Sequence, residues 1–153
     1  MEDLPGVSDE GRSFSGTASY TAHISIPHSP FPDSTAIALA TAVPLILDLG
    51  EVRDFARVFV NDHEVAALWA ESYRCDISQY VKKGDNEIRI DVTSTWFNRL
   101  AYDFNLPLEK RKTWTIWTVG NVPCLKQNAV LRTSGLIGPV RLKSCKDLKN
   151  VGH

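Results

Sequence analysis

One short stretch of the sequence places an aromatic ring, an amide and a guanidinium close together. Trp96, Asn98 and Arg99 follow a strand-like run, Glu87 to Val92. An aromatic face can take the C–H side of a pyranose, while Asn and Arg supply directed donors for hydroxyl or carboxylate groups. The stretch therefore predicts a carbohydrate-contact surface, with Asp103 as a second hydrogen-bonding or ion-pairing group.

The same residues also allow a purely structural interpretation. Trp96 would then fill the core, and Asn98 and Arg99 would bond to the backbone carbonyls of a loop. If strand alternation continues beyond Val92, Trp96 and Asn98 lie on one side of the chain. Both interpretations stay open at the level of sequence.

A second aromatic group follows a predicted hairpin. Trp69 ends the second arm of that hairpin and is followed closely by Tyr73 and Arg74. An aromatic side chain there can cover the rim of a sheet or stack on a ligand. We expect Trp69 to be mainly structural, because large aromatics contribute most through buried area, and we include all three residues in the predicted carbohydrate-binding set.

Composition limits the classes of partner. The 153 residues are enough for one domain with its own core, and 17 Lys and Arg against 18 Asp and Glu give a net charge of -1. No basic footprint for nucleic acid or for an anionic membrane is present. The longest apolar stretch, Thr35 to Leu49, contains Pro44 and is too short to span a bilayer. The acidic N-terminus does not resemble a signal peptide, and the compartment stays open.

The sequence contains no motif with the spacing typical of a metal or cofactor site. Cys75, Cys124 and Cys145 form no C-x-x-C pair, and the four histidines are scattered. No transition-metal site is expected, and neither a phosphate loop nor a dinucleotide fingerprint predicts a cofactor. We expect Cys75 to be a small buried hydrophobe, and the disulfide status of the three cysteines is not predicted.

Strand periodicity dominates, with no helical stripe of ten or more residues. Ser15 to Ile26, Phe55 to Val60 and Glu87 to Val92 alternate, and Asn61-Asp62 predicts a tight hairpin turn. The pattern predicts an all-β fold, a two-sheet antiparallel β-sandwich. Further strands are predicted over Ala42 to Leu49, Lys112 to Val119 and Val140 to Lys143. The predicted core consists of Tyr20, Ile24, Leu47, Leu49, Val58, Val60, Ile88, Ile90, Val92 and Ile116.

Eight short motifs occur in a fixed order between Phe14 and Leu142. They are Phe14 to Tyr20, Leu47 to Val52, Val58 to Asn61, Leu68-Trp69, Asp76 to Ser78, Lys83 to Ile88, Thr95 to Leu100 and Ser134 to Val140. Together they resemble the sugar-binding jelly roll of family 2 glycoside hydrolases. They resemble still more the domain near the C-terminus of family 106 α-L-rhamnosidases. The resemblance implies a galactose-binding-like sandwich over residues 14–143, a flexible segment over 1–13 and a tail over 144–153.

The resemblance also implies that this chain is not the catalytic part of its enzyme. In such hydrolases the acid and base lie on a separate barrel domain, and no pair of acids here stands out as the two carboxylates that glycoside hydrolysis needs. We therefore expect a non-catalytic, carbohydrate-binding-like accessory domain whose partners are a weakly bound carbohydrate or a catalytic barrel. Parent enzymes of this kind are often secreted or periplasmic. A packing domain without sugar affinity and a protein-interaction sandwich are the alternatives.

Overall fold

The computed structural model describes residues 8–26, 44–113 and 130–144. The chain divides into two compact units, one made of residues 1–16 with 94–133 and the other of 17–93 with 134–153. We call the first the helical unit and the second the sheet unit, because the described helices lie in the first and the described strands in the second. No helix in the described part of the chain is long and apolar enough to cross a bilayer.

The sheet unit contains nine described strands. They are β1 (Thr17–Ile26), β2 (Leu45–Asp48), β3 (Glu51–Arg53), β4 (Phe55–Val60), β5 (His63–Leu68), β6 (Arg74–Asp76), β7 (Gly84–Thr93), β8 (Gly135–Gly138) and β9 (Arg141–Ser144). They form a four-stranded sheet in the order β1-β7-β4-β5, a three-stranded sheet β6-β2-β9 and a two-stranded sheet β3-β8. Every pairing is antiparallel. The prediction of an all-β antiparallel sandwich is confirmed.

The hairpin between β4 and β5 shows how local sequence sets the register. Asn61 and Asp62 have φ angles of 49° and 66°, the left-handed conformation that a two-residue hairpin turn of this hand requires. The Asn61 amide also donates to the carbonyl of Tyr80 at 2.9 Å and to Asn86 Oδ1 at 2.8 Å. The predicted turn is confirmed, and its first residue anchors the hairpin to the chain that enters β7.

The core lies on one face of the four-stranded sheet. Ile88, Ile90 and Val92 alternate along β7 with Arg89 and Asp91, so that the apolar set points inward. The buried apolar residues of the core are Leu47, Leu49, Val52, Ala56, Val58, Val60, Ile77, Val81, Ile88, Ile90 and Val92.

The core prediction is confirmed at seven of its ten positions, namely Leu47, Leu49, Val58, Val60, Ile88, Ile90 and Val92. Ile24 is partly buried and packs against this cluster. Tyr20 was assigned wrongly, since 40% of it is exposed. It lies on β1, which ends the described order of its sheet, so it has a paired strand on one side only. Ile116 lies outside the described residues.

The helical unit contains the features that strand periodicity did not predict. Its described helices are α1 (Asp9–Arg12), α2 (Phe97–Phe104) and a 3₁₀ helix, Leu108–Lys110. Strand alternation therefore does not continue to Trp96 and Asn98, because β7 ends at Thr93 and α2 begins four residues later. The helix was not predicted because its eight residues are shorter than a ten-residue helical stripe, and two of its three buried positions, Asn98 and Asp103, are polar. Most of the predicted strand 112–119 lies outside the described residues.

Replacing Ile90 with Asp is expected to unfold the sheet unit. Ile90 is 4% exposed, and an unpaired charge at this position would cost about 3–5 kcal/mol. The matched control is Thr21→Asp on the exposed face of the same sheet, where the new carboxylate would lie opposite Arg89. Thermal melting followed by circular dichroism should show the loss for Ile90→Asp alone, and a variant that melts with the parent would contradict the assignment of strand faces.

Candidate functional site

The predicted carbohydrate-binding residues divide between the two units. Trp96, Asn98, Arg99 and Asp103 belong to the helical unit and share one turn-and-helix segment. The others, Trp69, Tyr73 and Arg74, belong to the sheet unit. Each group is therefore a separate candidate.

Trp96 stands at the start of α2 with its side chain in solvent. It is the N-cap residue of the helix, its carbonyl accepts a hydrogen bond from the Leu100 amide at 2.9 Å, and it is 61% exposed. The alternative that placed it in the core is wrong. The ring of its neighbour Phe97 is instead covered by the guanidinium of Arg132, whose Cζ lies 3.8 Å from the ring centroid. The indole of Trp96 thus lies next to Phe97, which Arg132 holds in place, and remains free to contact a ligand.

Asn98 is buried and joins three segments of the helical unit. Its Nδ2 donates to the carbonyls of Arg132 at 2.7 Å and Arg12 at 3.3 Å, and its Oδ1 accepts from the Arg132 amide at 2.8 Å. Only 4% of the residue is exposed, so these bonds replace the hydrogen bonds to water that the amide loses on burial. The structural interpretation, in which Asn98 satisfies backbone carbonyls, is confirmed.

Arg99 and Asp103 form a buried ion pair along one face of α2. The guanidinium meets both carboxylate oxygens, with Nε 3.2 Å from Oδ2 and Nη2 close to Oδ1. The same Oδ2 also accepts from the Lys112 amide at 3.0 Å and from Thr113, at 2.7 Å from the amide and 2.6 Å from Oγ1. The side chains are 13% and 2% exposed, so Arg99 pairs with Asp103 and does not serve loop carbonyls. Through Asp103, the pair attaches residues 112–113, which follow the helix, to α2.

The protonation of Asp103 follows from these contacts. Burial raises the pKa of the carboxyl, but hydrogen bonds from Arg99 and Thr113 outweigh burial and hold the pKa below its usual value. The other buried carboxylate of the described residues, Asp48, shows the same balance, because Lys143, the Gly50 amide and Arg74 together overcome the effect of burial and lower its pKa. A general acid for glycoside hydrolysis needs a raised pKa. Neither group fits that role.

In the sheet unit the second candidate group has its polar atoms committed. Tyr73 donates its hydroxyl to the Asp54 carbonyl at 3.0 Å, and Arg74 Nε lies 2.9 Å from Asp48 Oδ2. Trp69 is 72% exposed, so the buried area on which its expected structural role depends is missing. In this group, therefore, the indole of Trp69 is exposed, and the polar atoms of Tyr73 and Arg74 are bonded within the protein.

Cysteine and metal chemistry can be placed within the described part of the chain. Cys75 packs against the core, and burial, with a smaller effect of Asp76, raises the pKa of its thiol to about 11. It therefore stays protonated and behaves as a small apolar residue. Among the described residues no group of three or more His, Cys, Asp or Glu could hold a metal ion. Cys124 and Cys145 lie outside the described residues.

Sequence reasoning missed the partners that give the buried residues their roles. Ser13, Thr113 and Arg132 complete the contacts of Arg99, Asp103 and Asn98. They come from other parts of the chain, up to 86 positions away. No local pattern marks them. Arg132 meets Asn98 through backbone atoms, which place no demand on residue type, and the hydroxyls of Ser13 and Thr113 reach Arg99 and Asp103 from segments outside the helix.

Replacing Asp103 with Asn is expected to reduce the free energy of unfolding by about 3 kcal/mol, because it leaves the Arg99 guanidinium buried without its counter-charge. The substitution should also make the free energy of unfolding depend less on pH in the acidic range. The native carboxyl has a lowered pKa. Its contribution to stability is therefore fully present at pH values above the ordinary pKa of an aspartate and is lost as the pH falls through the lowered native pKa.

Urea unfolding of parent and variant, repeated from about pH 6 to about pH 2, measures both effects. Asp85→Asn, at an exposed position of β7, is the control and should follow the parent. Parallel pH curves for Asp103→Asn and the parent would contradict the role of the ion pair.

Comparison with known proteins agrees with this architecture. Residues 30–135 match the family model described as glycosyl hydrolase 2 galactose-binding domain-like. The chain is 36% identical to the protein named "Putative beta-glucuronidase" of Formosa agariphila, over 93% of this chain and 13% of that protein. It also superposes on the rhamnosidase of Novosphingobium sp. PP1Y with a TM-score of 0.71 and 36% identity, over 90% of this chain and 12% of that one. The chain thus spans about an eighth of the length of these relatives, and it belongs to the glycosyl hydrolase 2 galactose-binding domain-like family.

Proposed function

We propose that this chain is a non-catalytic accessory domain of a glycoside hydrolase, and that it contacts carbohydrate through Trp96. The observation that carries the proposal is the 61% exposed indole at the start of a helix whose other functional residues are buried and bonded. Membership of a galactose-binding-like family supports the ligand class. The assignment of residues rests on the helical unit itself.

The proposed contact divides the work between surface and support. The indole of Trp96 offers a flat apolar face on which the C–H side of a sugar ring can stack. Asn98 and the Arg99–Asp103 pair hold α2 in place beneath it, so little ordering is lost when a ligand binds. A single open aromatic face gives weak binding, with a Kd on the order of 0.1–1 mM.

Catalysis is assigned elsewhere in this proposal. The two buried carboxylates of the described residues, Asp48 and Asp103, are each paired with cationic side chains and have lowered pKa values. The relatives named for glucuronidase and rhamnosidase activity are about eight times as long as the stretch that matches. A catalytic domain on the same polypeptide is the natural partner of such an accessory unit.

One observation favours a second function, packing against that catalytic domain. The sheet unit has an apolar groove of about 320 Å³ between β1, β7 and the strands β8 and β9. Val140 and Leu142 line it and are each 42% exposed, and Tyr20 is 40% exposed. Apolar side chains in such numbers at one surface suit a protein neighbour. We propose the catalytic domain as the occupant.

Replacing Trp96 with Ala is expected to abolish the sugar-dependent shifts at the start of α2. We would titrate L-rhamnose and D-galactose into ¹⁵N-labelled chain and follow the indole N–H of Trp96 with the backbone amides of residues 96–99. Trp69→Ala removes another exposed indole and is the matched control. Equal shifts in the parent and in Trp96→Ala, or none in the parent at tens of millimolar sugar, would contradict the proposal.

The packing function makes a separate prediction. Leu142→Asp should reduce binding of the fluorescent probe anilinonaphthalene sulfonate while leaving the melting temperature nearly unchanged, because the side chain is already partly in solvent. Ala67→Asp, at an exposed position on β5 outside the groove, is the control for charge and should keep the probe bound. If the parent chain does not bind the probe, the groove is not an open apolar surface.

A further inference from the structure

A cleft of about 320 Å³ lies in the helical unit, at the end of α2 opposite Trp96. Its walls come from α1, from the last turn of α2 with the residues after it, and from the segment at 130–131. The lining residues are Asp9, Arg12, Tyr102, Asn105, Leu106, Val130 and Leu131. The volume is at the lower end of the range for small-molecule sites, about 300–1,000 Å³.

The walls combine hydrogen-bonding groups with an apolar side. Asp9, Tyr102 and Asn105 bring a carboxylate, a hydroxyl and an amide to one space, while Leu106, Val130 and Leu131 supply aliphatic surface. In the described part of the chain, the Tyr102 hydroxyl makes no hydrogen bond, and the Asp9 side chain contacts only Arg12, at 3.5 Å. Polar atoms that converge beside an aliphatic wall match a ligand with hydroxyl groups on one side and C–H groups on the other.

The cleft is held in shape by Asn98. This one amide bonds to the backbone of Arg12 on α1 and of Arg132 beside Leu131, while it belongs to α2 itself. The three walls are therefore tied together by a buried side chain that is 4% exposed. Arg111 adds a bond from Nε to the Leu106 carbonyl at 2.8 Å. Binding needs little rearrangement in a cleft fixed in this way.

The charges in the cleft favour a neutral ligand. Asp9 and Arg12 lie in the same space and offset each other, and Tyr102 and Asn105 carry no charge. An anionic sugar would meet the Asp9 carboxylate without an unopposed cation among the lining residues. Selection between a neutral and an acidic sugar follows from this balance.

We infer that this cleft binds the ring of one neutral monosaccharide unit. The inference rests on the proposed function for its ligand class, and it adds a site separate from the Trp96 surface. Hydroxyls of the sugar bond to Asp9, Tyr102 and Asn105, and its C–H face lies against Leu106 and the aliphatic side chains at 130–131. Asn98 acts here as a positioning residue, since it reaches the sugar only through the walls that it joins.

The test uses the full chain with L-rhamnose and D-galactose as neutral probes and D-glucuronate as the acidic probe. Amide shifts at Asp9, Tyr102, Asn105 and Leu106 report the cleft. Tyr102→Phe keeps the ring and removes one hydrogen bond, so the Kd for a neutral sugar should rise about 2- to 10-fold. Tyr80→Phe, on the sheet unit, is the matched control and should bind as the parent does.

The result is separable from the fate of the Trp96 surface. In Trp96→Ala protein the cleft amides should still shift with a neutral sugar and shift less with D-glucuronate. If the Trp96 indole responds and the cleft amides stay silent, the inference fails while the proposed function stands. If the cleft responds and the indole does not, the reverse holds. Parent-like binding by Tyr102→Phe, or tighter binding of D-glucuronate, would also overturn the inference.

Discussion

The structure of the helical unit depends on the hydrogen bonds and the ion pair of one buried carboxylate, that of Asp103. Asp103 is 1% exposed, and an ionised carboxylate in that position is stable only when its oxygens are bonded and its charge is opposed. Arg99 opposes the charge, and Lys112 and Thr113 fill the remaining acceptor sites. A helix of only eight residues is held in this way, and the position of Trp96 at its start depends on it.

The sheet unit uses the same device within a conventional core. Asp48 on β2 accepts from Arg74 on β6 and from Lys143 on β9, at 2.9 and 2.6 Å, so one carboxylate joins all three strands of the smaller sheet. Here, however, the apolar cluster around Val58 and Ile90 supplies most of the stabilisation. The two units thus differ in what holds them. Apolar burial dominates in one, and satisfied polar burial dominates in the other.

This difference explains which features could be predicted from the sequence. Strand β7 could be predicted because Ile88, Ile90 and Val92 alternate with polar residues. The turn at Asn61-Asp62 could be predicted because both residues tolerate positive φ. Helix α2 gives a weaker signal, because Phe97, Leu100, Ala101 and Phe104 have helical spacing over eight residues only and two of its three buried positions are polar. The sequence predicts Trp96, Asn98, Arg99 and Asp103 as one contact surface, but the bonds of Asn98 to partners 34 and 86 positions away could not be inferred from residue type. Strands β3 and β8 were missed because each has only three or four residues.

Burial of the polar residues also determines what kind of site this surface can form. A site that recognised sugar directly through Asn98 and Asp103 would have to break bonds that stabilise the helix, at a cost comparable to the affinity of a weak carbohydrate contact. The proposed ligand contacts therefore avoid this network and use the exposed indole of Trp96 and the lining of the cleft around Tyr102. A ligand bound at those positions would leave the bonds of Asn98 and Asp103 intact. Substitution at the surface positions would then change the proposed ligand contacts without loss of the fold that presents them.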